Sequence, residues 1–168
     1  MSGLSIGVDL LERLSRAYPA AIAGVKDSSG SLDNMRRIVA RFQQLSVLTG
    51  DDDLLLPLLS MGGAGSITAG ANIAPHSVSY IYANWRSDDA AVRKRQAMLQ
   101  RLWSGLLLKY PVTEVLKEIL AAESGNDLWR NVRPPLCSLP PEVRNQLQQA
   151  WRDIEFPMIE TERHVLDS

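Results

Sequence analysis

The chain has 168 residues, 45% of them hydrophobic and 22% charged, the balance of a globular domain with room for a sizeable core. Its 18 Lys and Arg against 19 Asp and Glu leave a net charge of −1, which argues against a nucleic-acid surface; the run Arg93-Lys94-Arg95 reads as the solvated face of a helix. The single cysteine, Cys137, excludes an internal disulfide framework, suits a reducing cytoplasm and reads as a buried or semi-buried thiol.

In chain order, Val8, Leu10, Leu11 and Leu14 form one face of a short helix ending near Tyr18-Pro19. Residues 21–25 read as a buried strand, an apolar run between turn signals. Met35, Ile38, Val39 and Phe42 recur at helical spacing, so a helix follows, opened by Asp33 or a neighbouring serine. Val47-Leu48-Thr49 before Gly50 predicts a second strand. Asp51, Asp52 and Asp53 then suit the positive end of a helix running to Met61 and closed by Gly62-Gly63. Residues 65–69 predict a third strand, and Pro75 opens a helix carrying Val78, Ile81, Tyr82 and Trp85 on one side.

The stretch 54–85 lacks any Asp, Glu, Lys or Arg, but Pro57, Gly62-Gly63 and Pro75 interrupt it too early for a spanning helix, so it reads as core and no membrane contact is expected. The N-terminus shows no basic region followed by an apolar core, so no signal peptide is expected either. From about Ser87 the chain reads as helical. One apolar face carries Met98, Leu99, Leu102, Trp103, Leu106 and Leu107. A second carries Val112, Val115, Leu116, Ile119 and Leu120, and a third Val143, Leu147, Trp151 and Ile154. Trp85, Trp103, Trp129 and Trp151 fall at or beside helices as core or interface anchors.

The expected organisation is α/β at residues 1–86, helical at 87–155 and a tail at 156–168. The alternation β-α-β-α-β-α is that of parallel strands with crossover helices. Three parallel strands need helices on both faces or closure into a barrel, and a (β/α)8 barrel takes about 250 residues. The chain is therefore either a small open sheet or part of something larger.

The run Ile22-Ala23-Gly24-Val25-Lys26-Asp27-Ser28-Ser29-Gly30 delivers a lysine to the end of an apolar strand, just before a small polar turn. At the edge of an apolar pocket the ammonium form is disfavoured, and the free amine can attack a carbonyl to form a Schiff base. A solvated lysine before a turn is the plainer reading of the same residues.

Residues 24–30 resemble the lysine motif of the dihydrodipicolinate synthase/N-acetylneuraminate lyase family, the Schiff-base (class I) aldolases built on a (β/α)8 barrel. The resemblance continues in order through Leu48-Thr49-Gly50-Asp51-Asp52, Gly62-Gly63-Ala64-Gly65-Ser66-Ile67 with Ala71-Asn72 and Pro75, and Leu116-Lys117 with residues 129–136. It implies a partial (β/α)8 TIM barrel, strands six to eight with their helices, plus a C-terminal helical extension.

It also implies Lys26 as the Schiff-base nucleophile, with Gly50 and Ile67 lining the pocket. The substrates would be pyruvate or a related 2-oxo acid and an aldehyde, in a cytoplasmic lyase needing no cofactor or metal. By the same resemblance the first five strands, with their carboxylate-gripping loop and proton-relaying tyrosine, are not in this chain. Tyr18, Tyr80, Tyr82 and Tyr110 are not natural stand-ins. A homo-oligomer or a complementing chain is expected, because three strands leave two open edges; a catalytically inactive fragment is the alternative.

Plainer roles stand beside these. Gly50 and Ile67 could serve turn geometry and packing, Asp51 and Asp52 the helix start, and Asp27 and Ser28 the turn after the lysine. His76 reads as surface or packing, and His164 as part of a mobile polar tail. A barrel binding phosphate after its last two strands would use the glycines at 50 and 62–65 but would not require Lys26.

Overall fold

In the computed structural model, which describes residues 6–87 and 89–154, the elements follow the expected alternation. Helix α1 (Val8–Ala17), strand β1 (Gly24–Asp27), α2 (Leu32–Arg41), β2 (Ser46–Thr49), α3 (Leu55–Ser60), β3 (Gly65–Ser66) and α4 (Pro75–Asn84) make the α/β part. The helices α5 (Ala90–Leu102), α6 (Val112–Ser124) and α7 (Pro141–Asp153) follow, and a π-helical turn, Trp103–Leu107, continues α5. The expected tail, with His164, lies outside the described residues.

The sheet is parallel throughout, ordered β1-β2-β3. Its register pairs Val25 with Val47, Lys26 with Leu48, and Asp27 with Thr49; Thr49 in turn faces Ser66. Because side chains alternate along a strand, Val25 and Val47 point to one face and Lys26 and Leu48 to the other. The first face is packed: Val47, Leu11, Met35, Ile38, Phe42, Leu45 and Leu58 form a buried cluster with Val25 against it. The second face leaves Lys26 exposed and Leu48 half-buried.

Two strands depart from expectation. The first lies at Gly24–Asp27, not 21–25, and is not buried throughout. Both Ala21 and Ile22 donate their amides to the Tyr18 carbonyl at 3.0 Å and close a turn, so pairing with β2 begins only at Ala23, whose carbonyl accepts from Ser46 at 2.9 Å. The third strand stops at Ser66 rather than 69, because Asp52 captures the Thr68 hydroxyl and the Gly70 amide and turns the chain away from the sheet.

The helices begin and end for local reasons. The Ser31 hydroxyl caps α2 by accepting from the Asn34 amide at 3.2 Å. In α1, Leu11 is buried but Leu10 is 42% exposed, so the apolar face is narrower than its spacing suggests. On α4, Ile81 is buried and Tyr82 points outward. A second cluster joins Leu55, Leu59, Ile73 and Ile81 to Leu99, Leu102, Leu106, Val115, Ile119 and Leu147, so α3 serves both cores, with Leu58 on one side and its neighbours on the other. Cys137 is exposed, against the expectation of a buried thiol, because residues 131–138 run along the surface between α6 and α7. Trp129 is 43% exposed and carries Lys117 over its ring at 5.8 Å rather than anchoring a core.

Candidate active site

At the C-terminal end of the sheet the backbone brings the predicted residues together. Gly50 follows β2 and donates its amide to the Asp27 carbonyl at 2.7 Å; Ile67 follows β3 and donates to the Thr49 carbonyl at 2.9 Å. The two therefore stand in one row, a step beyond the Asp27–Thr49–Ser66 register, while Lys26 lies one residue before that row on the open face.

Gly50 is required by contact. A Cβ there would overlap Ser28 Oγ and come within 3.1 Å of Lys26 Cε, so the absence of a side chain is what lets the lysine stem pass across the end of β2. Ile67 is 54% exposed. Lys26 is exposed as well, against the expectation of an apolar pocket edge: β1 is an edge strand with β2 on one side only, and nothing in the described sheet covers its second face.

The turn after Lys26 is held by Asp27. Its buried carboxylate accepts from the Ser29 amide and from Asn34 Nδ2, both at 2.8 Å, and so ties the turn to α2. This is the turn-capping role, and it fixes the backbone on which Lys26 sits.

The three consecutive aspartates after Gly50 do different work. Asp51 does not cap the following turn with its side chain. Its Oδ2 is buried with no hydrogen-bond partner among the described residues. Burial pushes its carboxyl above the ordinary range, the charges of Asp53 and Asp27 add to the rise, and the Gly30 amide and Lys26 oppose it. Asp53 is likewise raised by burial, with Oδ1 unpartnered among the described residues.

Asp52 is a crossbrace. It binds Thr68 Oγ1 and, at 3.0 Å, the Gly70 amide; burial raises its carboxyl, against the pull of those two bonds. A Cβ on Gly70 would overlap the Asp52 carboxylate, so that position too needs glycine. Behind this loop, buried Gln96 of α5 donates to the Asp53 carbonyl at 2.8 Å and the Asp52 carbonyl at 3.3 Å, and accepts from the Leu56 amide at 3.0 Å.

Thr68 and Gln96 were not legible as site-supporting residues. Three adjacent acids exceed what one helix start can use, and that surplus was the available signal. His76 is exposed, and among the described residues no group of three or more His, Cys, Asp or Glu is placed to hold a metal ion. No helix among them is long and apolar enough to cross a membrane.

Comparison with known proteins bears on this arrangement. Residues 1–154 match the Dihydrodipicolinate synthetase family. Among curated relatives, the 4-hydroxy-tetrahydrodipicolinate synthase of Natronomonas pharaonis is 30% identical over 162 residues, covering 92% of this chain and 52% of that protein. The synthase of Thermomicrobium roseum is 34% identical over 151 residues, covering 89% and 48%.

Among solved structures, dihydrodipicolinate synthase from Agrobacterium tumefaciens superposes with a TM-score of 0.75 at 30% identity, over 90% of this chain and 50% of that one. A prophage protein of the same family from E. coli K12, solved with pyruvate, gives 0.76 at 26% identity, over 88% and 50%. The chain spans about half the length of the curated relatives it matches. Its α/β fold corresponds to about half of the family's barrel. By its match over residues 1–154 and by these relatives, the chain belongs to the dihydrodipicolinate synthetase family.

Proposed function

We propose that this chain carries the Schiff-base half of a pyruvate-type lyase, with β1, β2 and β3 as strands six, seven and eight of an eight-stranded barrel. The observation that carries the reading is the passage of the Lys26 stem across the space that a Cβ at Gly50 would crowd, at the C-terminal ends of adjacent parallel strands, the end at which barrel enzymes do their chemistry. The pyruvate bound to the E. coli relative supports a 2-oxo acid as substrate.

The chemistry runs as follows. The neutral Lys26 Nζ adds to the C2 carbonyl of the 2-oxo acid to give a carbinolamine. Protonation of the carbinolamine hydroxyl and its departure as water leave a protonated imine, which withdraws electrons from C3, and loss of a C3 proton gives an enamine. The enamine forms a carbon–carbon bond to an aldehyde, and hydrolysis returns the lysine; cleavage is the reverse. Gly50 leaves room for the reacting end of the lysine, and Ile67 lines the entry beside it.

The reaction needs the free amine, which desolvation favours, so full activity needs cover over the open face of β1 and β2. We assign that cover to a further polypeptide segment or a second copy. A groove of about 250 Å³ beside β2 and β3, lined by Leu48, Leu55, Gly65, Ser66, Val78 and Tyr82, offers further room for such a segment.

The second reading, a fragment without turnover, is favoured by the exposure of Lys26. Borohydride reduction with pyruvate, followed by peptide mapping, separates the two. A reduced adduct confined to Lys26 and lost in Lys26→Ala supports the lyase reading. A folded chain that yields no adduct with its complementing segment present refutes it.

A further inference from the structure

Away from Lys26, the helical part holds a cavity of about 120 Å³ between α6, the surface segment that follows it and the start of α7. Glu114, Lys117 and Glu118 reach it from one face of α6, Arg130 and Ser138 from the connecting segment, and Arg144 from α7. At about 30 Å³ per water this is room for a few solvent molecules or one small polyatomic ion.

The charges in the cavity are unevenly used. Glu118 is buried and fully engaged: it accepts from Arg130 Nε at 2.7 Å, Arg130 Nη2 at 3.0 Å and Gln148 Nε2 at 2.7 Å. Burial alone would raise its carboxyl, but Arg130 and Gln148 overcome that and hold it below the usual range. Arg130 is occupied in turn by Glu118 and Asp127.

That leaves Lys117, over the Trp129 ring, and Arg144, whose charge helps to lower the Glu118 carboxyl but whose Nε is buried and donates to nothing among the described residues. Against these two cations stands Glu114, also buried. A planar guanidinium with a free, desolvated N–H beside a lysine is the arrangement that recognises carboxylate or phosphate oxygens. The carboxylate of Glu114 in the same cavity would repel a bare anion and accept from one that brings its own donor.

We propose that this cavity binds a small oxyanion carrying its own hydrogen-bond donor, as in monohydrogen phosphate or a 2-hydroxy carboxylate, with Arg144 and Lys117 on its oxygens and Glu114 accepting from its hydroxyl. The assignment does not depend on the chemistry of Lys26, which lies in the sheet, and trapping at that lysine is a separate readout.

The test is a titration of the full chain with phosphate, sulfate, lactate and acetate, following by NMR the Arg144 Nε–Hε resonance in the wild-type chain and the backbone amides of the cavity-lining Asn131, Ser138 and Leu139 in every variant, and confirming the fold of each variant by circular dichroism. Saturable shifts with phosphate or lactate, weakened at least tenfold in Arg144→Met and in Lys117→Met, are expected. Saturation by phosphate alone assigns a phosphate ligand, and by lactate alone a carboxylate.

Because sulfate lacks a donor, the wild-type chain should favour phosphate over sulfate, and Glu114→Gln should erase that preference. Shifts that stay linear for all four anions would mean that water alone serves the Arg144 Nε, and would overturn the proposal. Binding unchanged in a folded Arg144→Met chain would overturn it equally.

Discussion

At the residue scale, the space around Lys26 is set by what its neighbours lack. Replacing Gly50 by Ala forces a Cβ into Ser28 Oγ and against Lys26 Cε. Displacing a reacting group by about 1 Å costs on the order of 10²-fold in rate. Gly50→Ala should therefore slow borohydride trapping with pyruvate by about that factor, while circular dichroism still reports a folded chain. Asp51 presents the opposite case, a side chain held where it is poorly solvated. Its carboxyl is raised chiefly by burial, so the folded chain retains a proton that the unfolded chain has lost. Stability thus falls as pH rises from the ordinary carboxylate range through the raised folded value. Asp52 and Asp53, raised for the same reason, contribute falls of the same sign. Asp51→Asn should therefore lessen the fall by the share of Asp51 and be more stable than the wild-type chain at neutral pH, as urea unfolding at a series of pH values would register; an unchanged pH profile would contradict it.

Among the elements, the loops after β2 and β3 behave as one unit, because polar groups from distant parts of the chain meet there. Gln96 is the tie to α5, with one accepted and two donated hydrogen bonds in a buried position. Its truncation strands an amide and two carbonyls, and Gln96→Ala should destabilise the chain by about 3 kcal/mol in denaturant unfolding. Gln96→Glu keeps the acceptor for Leu56 but loses both donors, so it should also destabilise. The C-terminus of α6 gives a smaller effect. Gly125 closes that helix at φ +66°, the left-handed region, and Gly125→Ala should cost about 1 kcal/mol.

For the whole molecule, the layers are unequal. Helices cover one face of the sheet, and the other carries Lys26 and Leu48 with less cover, beside the exposed Ile67. A parallel sheet is ordinarily covered on both faces, and open edges with apolar surface invite pairing. Sedimentation velocity on the isolated chain should therefore give a species heavier than the 18.6 kDa monomer, in a concentration-dependent manner. A monodisperse monomer across the concentration range would count against the assignment of β1 and β3 as strands awaiting partners. Adding a complementing barrel segment should suppress the self-association and raise trapping at Lys26 together, since both follow from covering the same face.

Much of this was present in the residues themselves. The apolar spacing of Met35, Ile38 and Phe42, the turn chemistry of residues 27–30 and the lysine at a strand end are local features. Local backbone preference and side-chain periodicity produce them wherever the chain is placed, and with the ordered motifs they suffice for family membership. What the fold alone decided depends on contacts distant in sequence. Asp52 reaches Thr68 and Gly70, and Gln96 reaches back to residues 52–56. None of these has a period or a spacing to announce it, because each is chosen by which polar groups burial leaves facing one another. The exposure of Lys26 is of that kind too: the strand brings the amine to the end of the sheet, and only the packing on the far face determines whether water reaches it.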